Sequence, residues 1–410
     1  MRTMRKLAAA VVAAVLLAAC GGGGDGGGDA TQPTTITVWA MGAEGEKLGT
    51  LADEFTKQNP NITVKVTPIT WDVAHQKLIT SVAGRQTPDV SQLGTTWMAE
   101  FGKLGALDEV PDNIKAADFF EGAWNTNVIE GKAVGVPWYV ETRVLYYRTD
   151  IAEKAGAKMP PANWQELQDA ATKIKKETGK YGIGMLPNAA GTWQEFMPFV
   201  WQNGGDVVDA SGNPTLNSPQ VIEALEQYTA FYKQGLAPKN ATQGFAVEAG
   251  FIAGDYGMFF SGPWHVGILN DTGKKIKGKW AIAPMPREQS GTSFVGGSNL
   301  VVFNASKNKD AAWKFVEFAA KPETQALWYK TVADLPSNKA AWNSGDLAGQ
   351  EELQVFRTQL DDAKSAPNVA TWEQLATKIN DHIERAALGK TTPAEAAAGM
   401  QQDAQTLLQK

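Results

Sequence analysis

Residues suited to metal or redox chemistry are scarce: one cysteine, Cys20, and three histidines, His75, His265 and His382, in 410 residues. A lone thiol excludes an internal disulfide, and so few soft ligands leave no room for a cysteine/histidine zinc cluster. Positive charge is also short. The 38 Lys and Arg against 44 Asp and Glu give a net charge of −6, the wrong sign for a nucleic-acid partner held through phosphates. Apart from one apolar run near the start, no stretch approaches the ~20 residues of a membrane-spanning helix. No internal repeat of ~20–50 residues is visible, which excludes solenoids and propellers. What remains is an ordinary globular balance, 43% apolar and 20% charged, in a chain long enough for two or three domains. One residue type is abundant: 14 tryptophans against 8 tyrosines. Flat, rigid, amphipathic surfaces are in demand.

The apolar run has a recognisable context. Arg2, Arg5 and Lys6 precede Leu7 to Ala19, a stretch too short to cross a ~30 Å hydrocarbon core but suited to a secretory signal. It ends in Leu17-Ala18-Ala19-Cys20, which resembles a bacterial lipobox. There, small residues admit the signal peptidase and the cysteine sulfur receives a diacylglyceryl group. Residues 1–19 are therefore expected to be a signal peptide, and Cys20 the lipidation site. The segment that follows, GGGGDGGGD then ATQPT to residue 34, has too few side chains to pack. Such a tether spans roughly 20 Å root-mean-square by the ~5–6 Å × √n rule. The acidic body would not adhere to anionic lipid by charge, which leaves the lipid chain to hold it. The expected location is the outer face of the cytoplasmic membrane.

From Ile36 onwards short strands alternate with amphipathic helices. Ile36 to Ala40 and Ile62 to Val66 alternate with period two, and Asp89-Val90 opens a third strand. Leu48, Leu51, Ala52 and Phe55, then Asp72 to Ala83, have helical spacing. This βαβαβ order predicts a parallel sheet in an α/β layer fold, with ligands outside the carboxyl ends of the strands. Val140 to Tyr147 reads as one long β-rich run. Helices are predicted from Trp164 to Lys176, from Pro219 to Gln234 behind a Ser218 cap, and from Lys309 to Ala320. Tyr256 to Phe260, Trp280 to Ala283 and Leu300 to Phe303 read as strands, and the chain beyond Asp346 as helical.

Several landmarks stand in order along this body: Met41-Gly42-Ala43-Glu44-Gly45, Pro88-Asp89-Val90, Gly135-Val136-Pro137, Glu141-Thr142-Arg143 through Asp150, Ser261-Gly262-Pro263-Trp264 and Gly296-Gly297-Ser298-Asn299. In this order they resemble the extracellular solute-binding proteins of ABC sugar importers, the group around maltose-binding protein. The resemblance implies a two-lobe periplasmic-binding-protein-like α/β fold with a ligand cleft between lobes joined by hinge crossings. One lobe would comprise 36–141 plus 294–336, the other 142–293 plus 337–410. It further implies a monomer that captures a mono- or oligosaccharide, closes by hinge rotation and presents it to the importer's permease subunits, with no cofactor, metal or catalysis.

A sugar offers apolar C–H faces and a rim of hydroxyls, so its site needs aromatic rings beside carboxylates, amides and arginine. Most tryptophans, including Trp39, Trp164, Trp201 and Trp313, read as core residues. Trp264 differs because Gly262-Pro263 breaks the chain before it, and Trp71 and Trp97 fall where strands give way to helices. By the resemblance, the ligand-binding set is Glu44, Trp71, Trp97, Tyr139, Glu141, Arg143, Trp193, Gln194, Trp264, Gly296, Gly297 and Trp372. Asp89, inside its strand, reads as structural. One departure from the family pattern is Gly94-Thr95-Thr96, where many members carry an acidic residue. Two other readings compete. A glycoside hydrolase would need two carboxylates ~5–10 Å apart, for which Glu44 and Glu141 are the candidates. A binding protein for another polar solute, such as a polyamine or amino-sugar derivative, would need acids at both ends of the cleft.

Overall fold

The computed structural model describes residues 33–189, 191–240 and 247–408. The signal-peptide, Cys20 and tether readings up to Gln32 lie outside them. The first strand, β1 (Thr34–Met41), begins two residues before Ile36, so Thr34 belongs to the sheet rather than to the tether. It is followed by α1 (Gly42–Gln58), β2 (Ile62–Ile69), α2 (Trp71–Ala83) and β3 (Val90–Gly94). The βαβαβ expectation holds, with β1 paired in parallel to both β2 and β3. Ile36, Val38 and Ala40 lie fully buried on one face of β1 and pack with Leu48, Leu51 and Phe55 of α1, as period-two and period-3.6 patterns require when they share a core. Asp89 is structural as expected. Its Oδ2 accepts from the Thr37 amide (2.8 Å) and hydroxyl (2.9 Å), and its Oδ1 from Ser306 (2.6 Å).

The run from Val140 to Tyr147 is two strands, not one. β4 (Val136–Thr142) and β5 (Val144–Arg148) are separated at Arg143. They belong to different sheets, so this residue sits at the crossing between them. Next come β6 (Tyr181–Ile183), α3 (Thr192–Gln202), β7 (Tyr256–Ser261), α4 (Trp264–Thr272), β8 (Trp280–Ala283) and β9 (Ser293–Val302). After these follow α5 (Pro322–Val332), β10 (Leu335–Pro336), β11 (Ala363–Lys364) and α6 (Trp372–Ala387). The larger sheet runs β10-β4-β9-β3-β1-β2 with β11 also on β9, and the smaller runs β8-β5-β7-β6. β9 starts well before the expected Leu300. Gly296 and Gly297 are strand residues paired with Glu141 and Val140 of β4, not a loose loop.

Helix ends follow local chemistry. Asn163 caps Trp164–Thr178 by accepting from the Glu166 amide (2.9 Å), and Ser218 caps Pro219–Lys233, each satisfying a donor that the first turn leaves unpaired. Trp164, Trp201 and Trp313 are core residues as read. Their indole N–H groups donate to Gln202 (2.7 Å), Asp206 (3.2 Å) and Asp108 (2.9 Å). Trp39 is only partly buried, with the Lys77 ammonium 4.7 Å from its ring centre. No described helix is long and apolar enough to cross a membrane.

Candidate ligand-binding site

A cavity of about 430 Å³ opens at the carboxyl ends of β1 and β3, where open α/β sheets place their ligands. The turn from β1 into α1 contributes Ala43 and Glu44, and Gly94 to Trp97 follow β3. Strands β4 and β9 supply Tyr139 to Glu141 and Phe294, Gly296 and Gly297. Val332 to Leu335 close one side, and Gln194, Pro263 and Trp264 reach it from beyond the crossing.

Three indoles wall the cavity. Trp71 is the first residue of α2, and Trp97 ends the single 3₁₀ turn after β3. Their rings meet edge to face with centroids 5.6 Å apart, and His75 backs Trp97 at 5.1 Å. Trp264 is the first residue of α4 and remains 40% exposed, as large a fraction as a ring awaiting a partner would show. One of its faces is already taken, because the Arg143 guanidinium lies 4.9 Å from the ring centroid. Gly262 makes this pose possible: a Cβ there would stand 2.1 Å from the Trp264 ring.

The polar side is a connected network. Gln92 accepts from the Met41 amide (2.6 Å) and donates to Ser298 (3.1 Å), whose hydroxyl donates to the Tyr139 oxygen (3.1 Å). Burial pushes the Glu44 carboxyl above its ordinary range, and the charge of Glu141 adds, against hydrogen bonds from its own backbone, Tyr139 and Gln92. Burial, then the charges of Asp334 and Glu44, drive the Tyr139 phenol well above its ordinary value, so it stays a protonated donor. Arg143 donates to Glu141 at 2.8 Å and to the Gln194 carbonyl, with Phe294 5.5 Å away on its other side. Its side chain is 8% exposed. Among the described residues no group of three or more His, Cys, Asp or Glu could hold a metal ion.

Nine of the residues singled out from the sequence meet at this cavity: Glu44, Trp71, Trp97, Tyr139, Glu141, Gln194, Trp264, Gly296 and Gly297. Three do not line it. Arg143 sits behind the wall, bracing Glu141, Gln194 and Trp264. Trp372 is fully buried and Trp193 nearly so. Their rings pack edge to face at 5.0 Å, and Trp193 also abuts Phe294 at 5.1 Å. Trp372 heads an apolar stripe, Leu375, Ala376, Ile379 and Ile383, that faces the core of its own half, so the ring follows its stripe inward. Asp334 and Phe294 line the cavity without having been singled out. Asp334 follows a helix end, and nothing local marks it as a site residue.

Gly297 tolerates no side chain. Its φ is +125°, and a Cβ would lie 2.2 Å from the Tyr139 carbonyl oxygen and 2.9 Å from the Val140 Cα. Both are backbone atoms of a paired strand and cannot swing aside. Gly297→Ala is expected to cost about 2–3 kcal/mol through overpacking and backbone strain. Thermal unfolding of the ligand-free variant checks this; an unchanged midpoint would refute the clash.

A concave aromatic and acidic cavity beside a crossing between two sheets defines a small-molecule receptor of the two-lobed periplasmic-binding fold. Residues 39–326 match the model of the bacterial extracellular solute-binding proteins, and the chain belongs to that family. It is a binding protein, not an enzyme. The structure is similar to that of the sugar-binding protein MalE from Xanthomonas citri, with a TM-score of 0.86 and 34% identity over 92% of this chain and 97% of that one. A Brucella abortus chain described only as a binding protein is 30% identical over 348 residues, 83% of this chain and 84% of that one. The diacetylchitobiose-binding protein DasA of Streptomyces coelicolor is 29% identical over 378 residues, 88% of this chain and 87% of its own.

Proposed function

We propose that this protein is a lipid-anchored receptor that captures a mono- or oligosaccharide outside the membrane and delivers it to an ABC importer by lobe closure. The observation that carries the reading is the pairing of three indoles with the carboxylates of Glu44, Glu141 and Asp334 in one cavity. Rings of this kind cover the C–H faces of a sugar, and carboxylates accept from its hydroxyls. The names of the Xanthomonas and Streptomyces relatives, sugar-binding and diacetylchitobiose-binding, support the same class. Closure would bring 36–141 plus 294–336 against 142–293 plus 337–410, with Arg143 at the crossing between them. Cys20, after its small-residue run, would carry the lipid, and the glycine-rich segment that ends before Thr34 would link it to β1.

A thermal-shift screen over maltose, maltotriose, trehalose and diacetylchitobiose tests the binding class. A true ligand at 100 times its Kd stabilises by about 2.7 kcal/mol, enough to raise the unfolding midpoint by several degrees. The sugar giving the largest shift is also expected to reduce the radius of gyration in X-ray scattering, because closure requires contacts to both lobes. No shift with any sugar would overturn the sugar reading. A scattering profile unchanged at saturation would overturn closure.

A further inference from the structure

We propose that Asp334 is the specificity-determining residue of this cavity, fixing one hydroxyl of the ligand and making the site select uncharged polyols over anionic ones. This rests on the sugar-receptor reading. Its placement is unusual. Helix α5 ends at Val332, Ala333 turns the chain through the left-handed region (φ 64°), and β10 then pairs Leu335 and Pro336 with Val140 and Tyr139. The turn therefore delivers Asp334 beside the strand that carries Tyr139 and Glu141, and into the cavity.

The carboxylate is held by one oxygen. Oδ2 accepts from the Trp328 indole at 3.0 Å, and that indole is itself stacked on Trp138 with centroids 4.9 Å apart. Among the described residues Oδ1 has no such partner, and it is left for a ligand donor. A pre-oriented acceptor of this kind discriminates by hydroxyl position, because a misplaced hydroxyl leaves it unpaired. Charge gives the second level of selection. Glu44, Glu141 and Asp334 share the cavity, and among its described lining residues there is no lysine or arginine. The nearby cation, Arg143, is committed to Glu141 and Gln194. A phosphate or carboxylate entering here meets three acids and no cation among the described lining residues, whereas neutral hydroxyls meet acceptors. Burial first, then the charge of Glu44, holds the Asp334 carboxyl well above its ordinary range, which favours its neutral form and marks a cavity where one more negative charge is costly.

Calorimetry on wild type and Asp334→Asn tests both levels. The neutral probes are the four sugars of the screen; the anionic probes are glucose 6-phosphate, glucuronate and sn-glycerol 3-phosphate. Wild type is expected to bind at least one neutral sugar and none of the anions. Asn keeps an oxygen for Trp328 but puts an amide NH2 where Oδ1 stood, which cannot accept from a hydroxyl, so D334N is expected to weaken the neutral sugar by about tenfold or more with an unchanged ligand-free unfolding midpoint. Should D334N unfold, Trp328→Phe releases the carboxylate without removing it, and a loss of about threefold is expected. Binding in D334N, or in W328F where it replaces it, within twofold of wild type overturns the assignment alone. So does binding of any anionic probe as tight as the best sugar. Failure of the wild type to bind any neutral sugar overturns the sugar reading and this assignment with it.

Discussion

Trp264→Ala is expected to weaken sugar binding by about two orders of magnitude, roughly 3 kcal/mol, while the protein stays folded. The ring is 40% exposed at the cavity and rests one face on the Arg143 guanidinium, 4.9 Å away. Its other face is what a pyranose would cover. Removing it deletes a large rigid contact surface of the kind that dominates interface energies. The fold loses much less, because a ring this exposed contributes only part of its area to packing, and the cation–π contact is worth ~0.5–1 kcal/mol at an accessible site. Calorimetry with the best sugar of the screen, alongside thermal unfolding without it, separates the two effects. Unchanged affinity would eliminate the stacking role, and a collapsed ligand-free midpoint would show that the ring is structural after all.

Arg143→Leu should damage stability as well as binding. The guanidinium is clamped between Trp264 and Phe294 and donates to Glu141 and Gln194 with its side chain 8% exposed. Its loss leaves Glu141, itself only 19% exposed, as an uncompensated charge near Glu44 and Asp334. Breaking one side of a buried pair costs about 3–5 kcal/mol, since the remaining charge has lost its partner and most of its water. Neighbouring Glu195 adds little to this cost at neutral pH, where it is already mostly protonated. Burial already pushes its carboxyl up to about 8, and Arg143 is the charge that pulls it down. Lysine is not a conservative replacement here, because a point charge cannot serve two acceptors and two ring faces as a planar fork does. The informative control is the double variant Arg143→Leu/Glu141→Gln, which removes both charges. If the cost arises from the orphaned carboxylate, the double variant recovers much of the lost unfolding free energy in a double-mutant cycle. No recovery would place the cost in packing instead.

Much of this architecture is legible in the residues themselves. Period-two runs over β1 and β2, helical spacing through α1, and the caps at Asn163 and Ser218 are local signals, set within a few residues by backbone sterics and hydrogen bonding. The same holds for part of the site. Glu44, Trp71, Trp97 and Trp264 each stand where a strand ends or a helix begins, and in an α/β sheet those points converge on the ligand side. Arg143 was marked too, although its place behind the wall was not. The break at Arg143 and the early start of β9 were hidden, because an apolar run reads alike whether it stays in one sheet or passes between two.

Trp372 and Asp334 show where local reading stops. An indole at the head of an amphipathic helix reads the same whether its stripe faces a cleft or a core. What decides is the covering element, here Trp193 and its helix, nearly 180 residues earlier in the chain. Asp334 is the reverse case, an unremarkable acid after a helix, brought to Tyr139 only because β10 pairs with β4. The scarcity of cysteine, histidine and positive charge, the strand–helix alternation and the tryptophan surplus were properties of the chain alone. Which tryptophans face solvent, which acids share a cavity and which cation is left to balance them depend on contacts between distant segments. Only the assembled sheets bring those segments together.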